Sequence, residues 1–141
     1  MAPTKSLKFL ALLFAYLLLA VSLALAKNIK CVGNQYKDPG QLWLTFQGHP
    51  GPYDYRDSNG ALIKRYPHLF QNTEGFIFTN CPGNGVLNEF PVIPKHLLYT
   101  GGRPGPDRLV YRTDLHGERT LCLPFVTHTN ALNNSFNLCT Q

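Results

Sequence analysis

The chain has 141 residues, with 13 lysines and arginines against 8 aspartates and glutamates, a net charge of +5. That length holds one domain with one core. It shows no internal repeat, no low-complexity tract and only one long apolar stretch, which excludes a solenoid and a membrane protein of several spans. The surplus of positive charge suits a polyanionic partner and, equally, ordinary solubility.

The N-terminus reads as a secretory signal peptide. Lys5 and Lys8 precede an apolar run from Phe9 to Leu25 whose only polar residue is Ser22. Ala24-Leu25-Ala26 is a small-residue cleavage pattern, so residues 1–26 are read as the signal and 27–141 as the secreted domain. An uncleaved membrane anchor is the alternative, since the run approaches the length that spans a bilayer. After cleavage no stable membrane association is expected, and the domain is read as a monomer.

Asp38 followed by Pro39 predicts a helix start, a capping side chain with proline in the first turn. Leu42, Trp43, Leu44 and Phe46 continue it, Gly48 and Pro50 end it, and Trp43 is expected in the core. From Pro50 to Gly60 the residues read as loop, closing on the Asn59-Gly60 turn signal. Strands are predicted over roughly 61–65, 75–80, 86–93, 107–113, 120–127 and 135–139, from their β-branched and aromatic content. Tyr99 to Gly105 reads as a long turn and Leu115 to Arg119 as a hairpin loop. One helix followed by many strands is an α+β pattern, with the helix packed on one face of an antiparallel sheet.

Cys31, Cys81, Cys122 and Cys139 are an even count in a short chain with a signal, which reads as two disulfides. Three pairings are open on the sequence alone. A zinc site is the rival reading. Nothing resembles C-x-x-C, however, and His49, His68, His96, His116 and His128 are scattered, so no metal or cofactor is expected.

Several segments carry groups suited to phosphodiester chemistry. Glu89, followed by Phe90-Pro91-Val92-Ile93, is a carboxylate on an apolar strand and a candidate general base. His128, between two threonines after Leu123-Pro124-Phe125-Val126, is a candidate general acid. Arg108 offers a forked cation for phosphate oxygens. Taken singly, each has a bland reading: a solvated glutamate, a structural histidine, an arginine paired with Asp107. Together they fit RNA cleavage in which the substrate's own 2′-hydroxyl attacks the phosphorus. A second group, Phe70-Gln71-Asn72-Thr73-Glu74, could read a base. Glu74 would accept from N1–H and the amine of guanine, and Phe70 would stack on the ring. Its bland reading is a polar loop.

In order, spacing and flanks these segments resemble the fungal guanyl-specific ribonuclease family, including its sarcin-type ribotoxin branch. The motifs are Tyr66-Pro67-His68, Asn72-Thr73-Glu74-Gly75-Phe76, Glu89-Phe90-Pro91, Gly105-Pro106-Asp107-Arg108, His128-Thr129 and Phe136 before the last cysteine. The resemblance spans roughly residues 66–139 and implies the microbial ribonuclease fold. It implies catalytic roles for Tyr66, His68, Glu89, Arg108, His128 and Phe136. It implies base binding by Phe70, Gln71, Asn72, Thr73, Glu74 and Asn134. It also implies the pairings Cys31–Cys139 and Cys81–Cys122. The substrate implied is single-stranded RNA, cut 3′ of guanine through a 2′,3′-cyclic phosphate without a metal. Thr73 and Gln71 depart from the family's base site, which leaves a broader purine preference open. The interval from His68 to Glu89 is short, whereas ribotoxins carry a long lysine-rich loop there. A ribotoxin-like effector that cuts ribosomal RNA and a non-catalytic binding effector are therefore the rival readings. Asn133-Asn134-Ser135 is an N-glycosylation sequon beside the expected base site.

Overall fold

The structure, a computed structural model, describes residues 28–129 and 135–141. The expected signal peptide, the sequon's Asn133 and the candidate base-site Asn134 lie outside the described residues. Ile29–Cys31 (β1) and Asn34–Tyr36 (β2) form an antiparallel hairpin that the sequence reading missed. Gly33 makes its turn at φ +79°, a backbone conformation that residues with a side chain rarely adopt. Ile29 and Tyr36 face each other across it and are fully buried.

The helix spans Pro39–Gly48 (α1), where the sequence places it. The Asp38 carboxylate accepts from the Gln41 amide at 2.8 Å, satisfying one of the free donors of the first turn. Pro39, Leu42 and Phe46 are its buried residues. Trp43 is only half-buried, stacked on Phe46 at the margin of the core.

Tyr53–Arg56 (β3) pairs with Leu62–Tyr66 (β4) in a second hairpin. This corrects the loop expected from Pro50 to Gly60. The strand is held by Asp54, whose carboxylate bridges Arg56 at 2.6 Å and Arg65 of the facing strand at 2.7 Å. Those hydrogen bonds, from Arg65 first, hold the Asp54 carboxyl down at about 2.

The main sheet follows. Its strands are His68–Leu69 (β5), Val86–Ile93 (β6), Leu97–Leu98 (β7), Asp107–Thr113 (β8), Arg119–His128 (β9) and Phe136–Leu138 (β10). The spatial order is β10-β9-β8-β6-β5, with β7 also on β6, and every pairing is antiparallel. Pro91 falls between the short β5 and β7 pairings, a position where a strand tolerates proline. The expected α+β architecture, one α-helix on an antiparallel sheet, is what the described residues form.

Side chains alternate between the faces of a strand. On one face Phe90, Val92, Leu109, Tyr111, Leu121 and Phe125 pack against α1 and the first hairpin. Phe46 sits at the centre, its ring 4.7 Å from Phe90 and 5.1 Å from Tyr111. On the other face Val110, Cys122 and Val126 are covered by Phe70, Phe76 and Phe78. These rings come from residues 70–81, which are irregular and not the strand expected over 75–80. Disulfides join Cys31 to Cys139 and Cys81 to Cys122. The first ties β1 to the end of the chain, where Lys30 and Thr140 exchange backbone hydrogen bonds at 2.8 and 2.9 Å. Both are as the resemblance implied, and they fit an oxidising compartment.

Candidate active site

Alternation places the chemistry. Glu89, Arg108 and His128 lie on the sheet face opposite the helix, on adjacent strands β6, β8 and β9. His68 of β5 is directly across from Glu89, and Phe136 of β10 is directly across from His128. Between Arg108 and Val110 the register of β8 against β9 shifts, so that Arg108 pairs with Val126 and Val110 with Cys122. Such a bulge bends the strand and re-aims its side chains, a device common beside reaction centres.

Glu89 is 2 % exposed and lies under His68 and Arg108. His68 Nε2 is 2.8 Å from its Oε1, and Arg108 Nε is 3.9 Å from the same oxygen. Neither nitrogen meets hydrogen-bond geometry there, so both are buried polar atoms without a hydrogen bond among the described residues. Buried polar atoms of this kind are rare in native proteins and call for an explanation. His68 Nδ1–H is engaged by the Leu69 carbonyl at 2.9 Å, which fixes the ring. The Arg108 guanidinium is held from behind. Its Nη1 donates to the carbonyls of Gly105 and Asp107, each at 2.8 Å, and its Nη2 donates to the Tyr66 hydroxyl at 3.2 Å. Tyr66 is itself buried, and burial pushes its hydroxyl pKa up against the pull of Arg108.

Arg108 is therefore not the surface partner of Asp107. Asp107 points to the opposite face, fully buried, and accepts from Asn34 at 2.8 Å, Tyr36 at 2.7 Å and Thr127 at 2.6 Å. Burial, then the bond to Asp107, push the Tyr36 hydroxyl pKa up. The sequence reading missed this anchor. The alternation of β8, with a carboxylate one step from the clamp, was the signal that could have found it.

His128 lies under Phe136, ring centres 4.0 Å apart. Burial, then the nearby positive charge of Arg108, lower its pKa to about 4. Phe136 thus shields the imidazole on one side.

The base segment is brought to the same cleft. A pocket beside Glu89 is lined by His68, Phe136 and residues 70–74. Asn72 adopts φ +50°, and its side chain holds both the amide and the carbonyl of Phe76 at 2.9 Å. Glu74 points inward, with Oε1 accepting from the Phe136 amide at 2.7 Å and Oε2 near the Thr73 hydroxyl at 3.2 Å. Gln71 and Thr73 are exposed at the rim. Phe70 departs from expectation. It is buried, edge-on to Phe136 at 5.3 Å and to Phe78 at 6.3 Å, so it is a floor for the pocket and not a free stacking surface.

A family model described as ribonuclease matches residues 48–140. The chain belongs to the ribonuclease family. Among its relatives is guanyl-specific ribonuclease N1 of Neurospora crassa, 38 % identical over 85 residues, which cover 60 % of this chain and 50 % of that protein. Guanyl-specific ribonuclease Pc of Penicillium chrysogenum is 37 % identical over 87 residues, 62 % of this chain and 76 % of that protein. Guanyl-specific ribonuclease U1 of Ustilago sphaerogena is 41 % identical over 75 residues, 52 % of this chain and 66 % of that protein. The region matched by the ribonuclease model holds every strand of the main sheet and both hairpin strands β3 and β4. The first hairpin and nearly all of α1 precede it.

Proposed function

We propose that the chain is an endoribonuclease that cuts single-stranded RNA 3′ of guanine by transesterification, closing a 2′,3′-cyclic phosphate. The observation that carries this reading is the buried Glu89 beneath His68 Nε2 and Arg108 Nε, two buried nitrogens with no hydrogen-bond partner among the described residues. A scissile phosphate resting over Glu89 offers both nitrogens oxygen partners. Glu89 takes the proton of the 2′-hydroxyl, and His68 and Arg108 hold the charge that builds on the phosphoryl oxygens. Tyr66 keeps the guanidinium in place. His128, on the far side of Arg108 and shielded by Phe136, gives its proton to the departing 5′-oxygen.

Base choice rests on Glu74. Its carboxylate, fixed by the Phe136 amide, faces the pocket with acceptors for the two adjacent donors of guanine. Adenine presents an acceptor at N1 instead. The stretch between His68 and Glu89 contains no lysine or arginine, which favours a general single-stranded substrate over a ribosomal target. All the reacting groups come from one chain, so a monomer suffices. The apolar N-terminal run and the two disulfides support secretion to an extracellular site of action.

The test is cleavage of four dinucleotides, GpU, ApU, CpU and UpU, with the cyclic phosphate identified as the first product. Guanine preference with a cyclic intermediate is expected. Equal rates on all four would remove the base site, and a linear 3′-phosphate formed directly would remove the transesterification.

A further inference from the structure

Glu74 does not stand alone at the mouth of its pocket. Its Oε1 is tied inward by the Phe136 amide, and its Oε2 lies 3.2 Å from the Thr73 hydroxyl. Thr73 is exposed, so the pair of Oε2 and Thr73 Oγ1 sits on the solvent side of the pocket. The backbone beneath that pair is fixed. Asn72 holds Phe76 through its side chain, and its carbonyl accepts from the Gly75 amide at 3.0 Å. The threonine hydroxyl can still turn its hydrogen about the Cβ–Oγ1 bond.

A carboxylate only accepts, whereas a hydroxyl donates or accepts. Three oxygens therefore offer two different edges. Oε1 and Oε2 are an acceptor beside an acceptor, which matches N1–H and the 2-amine of guanine. Oε2 and Oγ1 are an acceptor beside a donor, which matches the 6-amine and N1 of adenine. With guanine bound, the threonine hydrogen stays on Oε2, the contact seen here. With adenine bound, it turns to N1, and Oε2 accepts from the 6-amine in its place. Cytosine carries the same two groups on a single ring, which holds them nearer the ribose and short of Glu74.

We propose that Thr73 is a specificity-determining residue that admits adenine as a second substrate base. The substrates are then RNA chains cut after either purine, guanine ahead of adenine. Guanine leads because both of its contacts fall on the charged carboxylate, whereas one of adenine's falls on a neutral hydroxyl. This rests on the ribonuclease reading above and deepens it. A threonine that only steadied Glu74 would act in the opposite sense. Its loss would harm guanine more, since guanine alone uses both carboxylate oxygens.

The experiment measures kcat/KM for GpU, ApU, CpU and the inosine dinucleotide IpU in the parent, Thr73→Val and Thr73→Ser. The parent should cut ApU more slowly than GpU and faster than CpU. In Thr73→Val, which keeps the shape and loses the hydroxyl, the GpU-to-ApU ratio should rise about tenfold, the scale of one hydrogen bond. Thr73→Ser should return the ratio to the parent value. IpU keeps N1–H and lacks the 2-amine, so the IpU-to-ApU ratio should rise with that of GpU. Each ratio compares two substrates on one protein, which cancels any general loss of activity or folded fraction. A GpU-to-ApU ratio that is unchanged or falls in Thr73→Val would overturn the proposal, as would an IpU rate that drops in step with ApU. ApU cut no faster than CpU by the parent would overturn it too, and leave the ribonuclease reading standing. Failure of the parent to cut any of the four would overturn that reading and the proposal together.

Discussion

At the scale of single residues, His128 carries the sharpest consequence. Burial and Arg108 hold its pKa at about 4 in the free protein, so its acid form is lost as pH rises through that value. A bound phosphate opposes the Arg108 charge and raises it again. The rate constant kcat/KM, which reports the free protein, should therefore decline about tenfold per pH unit above the His128 midpoint, while kcat holds to higher pH. NMR titration of the imidazole should give a midpoint near 4 that moves up when guanosine 2′-monophosphate is added. The same shift affects stability. A histidine depressed below its unfolded value of about 6.5 contributes stability that is complete above that value and is lost as pH falls toward 4. His128→Ala should slow dinucleotide cleavage by about 10²–10⁴ with the fold retained, as read by near-UV circular dichroism. Glu74 is the other decisive side chain. Loss of its charge-assisted contacts should cost guanine about 1.5–3 kcal/mol. Glu74→Ala should therefore bring the GpU and ApU rates together while leaving measurable cleavage of both.

At the scale of elements, the legible parts were those whose pattern is local. Asp38-Pro39 marks α1 because cap and proline act within one turn. The apolar runs mark β6, β8 and β9 because those strands are buried on both faces. Residues 75–80 misled for a physical reason. Phe76-Ile77-Phe78 does alternate, with Phe78 buried and Ile77 exposed, but no strand lies beside it. The Asn72 side chain takes both backbone groups of Phe76 instead. Strand β3 was illegible because its composition, with Pro52, Asp54 and Asp57 in and around it, is that of a loop. What makes it a strand is the pairing of Asp54 with Arg65, eleven residues on. Of the candidate site, Glu89 and His128 carry a signal in their flanks, but the buried role of Phe70 and the anchor at Asp107 depend on which face of the sheet is covered. One turn allows a direct test. A Cβ on Gly85, at φ +150°, would collide with the Thr113 carbonyl where β6 and β8 meet. Gly85→Ala should destabilise by about 1–3 kcal/mol, seen as a lower melting temperature.

At the scale of the whole molecule, two long-range links hold the first hairpin to the sheet. The Cys31–Cys139 disulfide closes a separation of 108 residues, worth about 5 kcal/mol in the chain-entropy model. Asp107 takes three hydrogen bonds from β2 and β9, those from Tyr36 and Thr127 fully buried, and a donor left unpaired in Asp107→Asn costs about 1–3 kcal/mol. Cys31→Ser/Cys139→Ser should unfold at clearly lower urea than the parent, and cleavage of GpU should vanish over the same urea range. These two links also bear on when the molecule can act. Asp107 grips the hairpin and Arg108 turns to Glu89 in the candidate active site, and they are consecutive residues pointing in opposite directions. A newly made, reduced chain owns every reactive side chain but has no covalent hold on the hairpin that braces the clamp. A cell that makes an RNA-cutting protein exposes its own messengers and ribosomes to it. Oxidation of that one cysteine pair then favours the folded, competent form, and does so most where thiols no longer stay free.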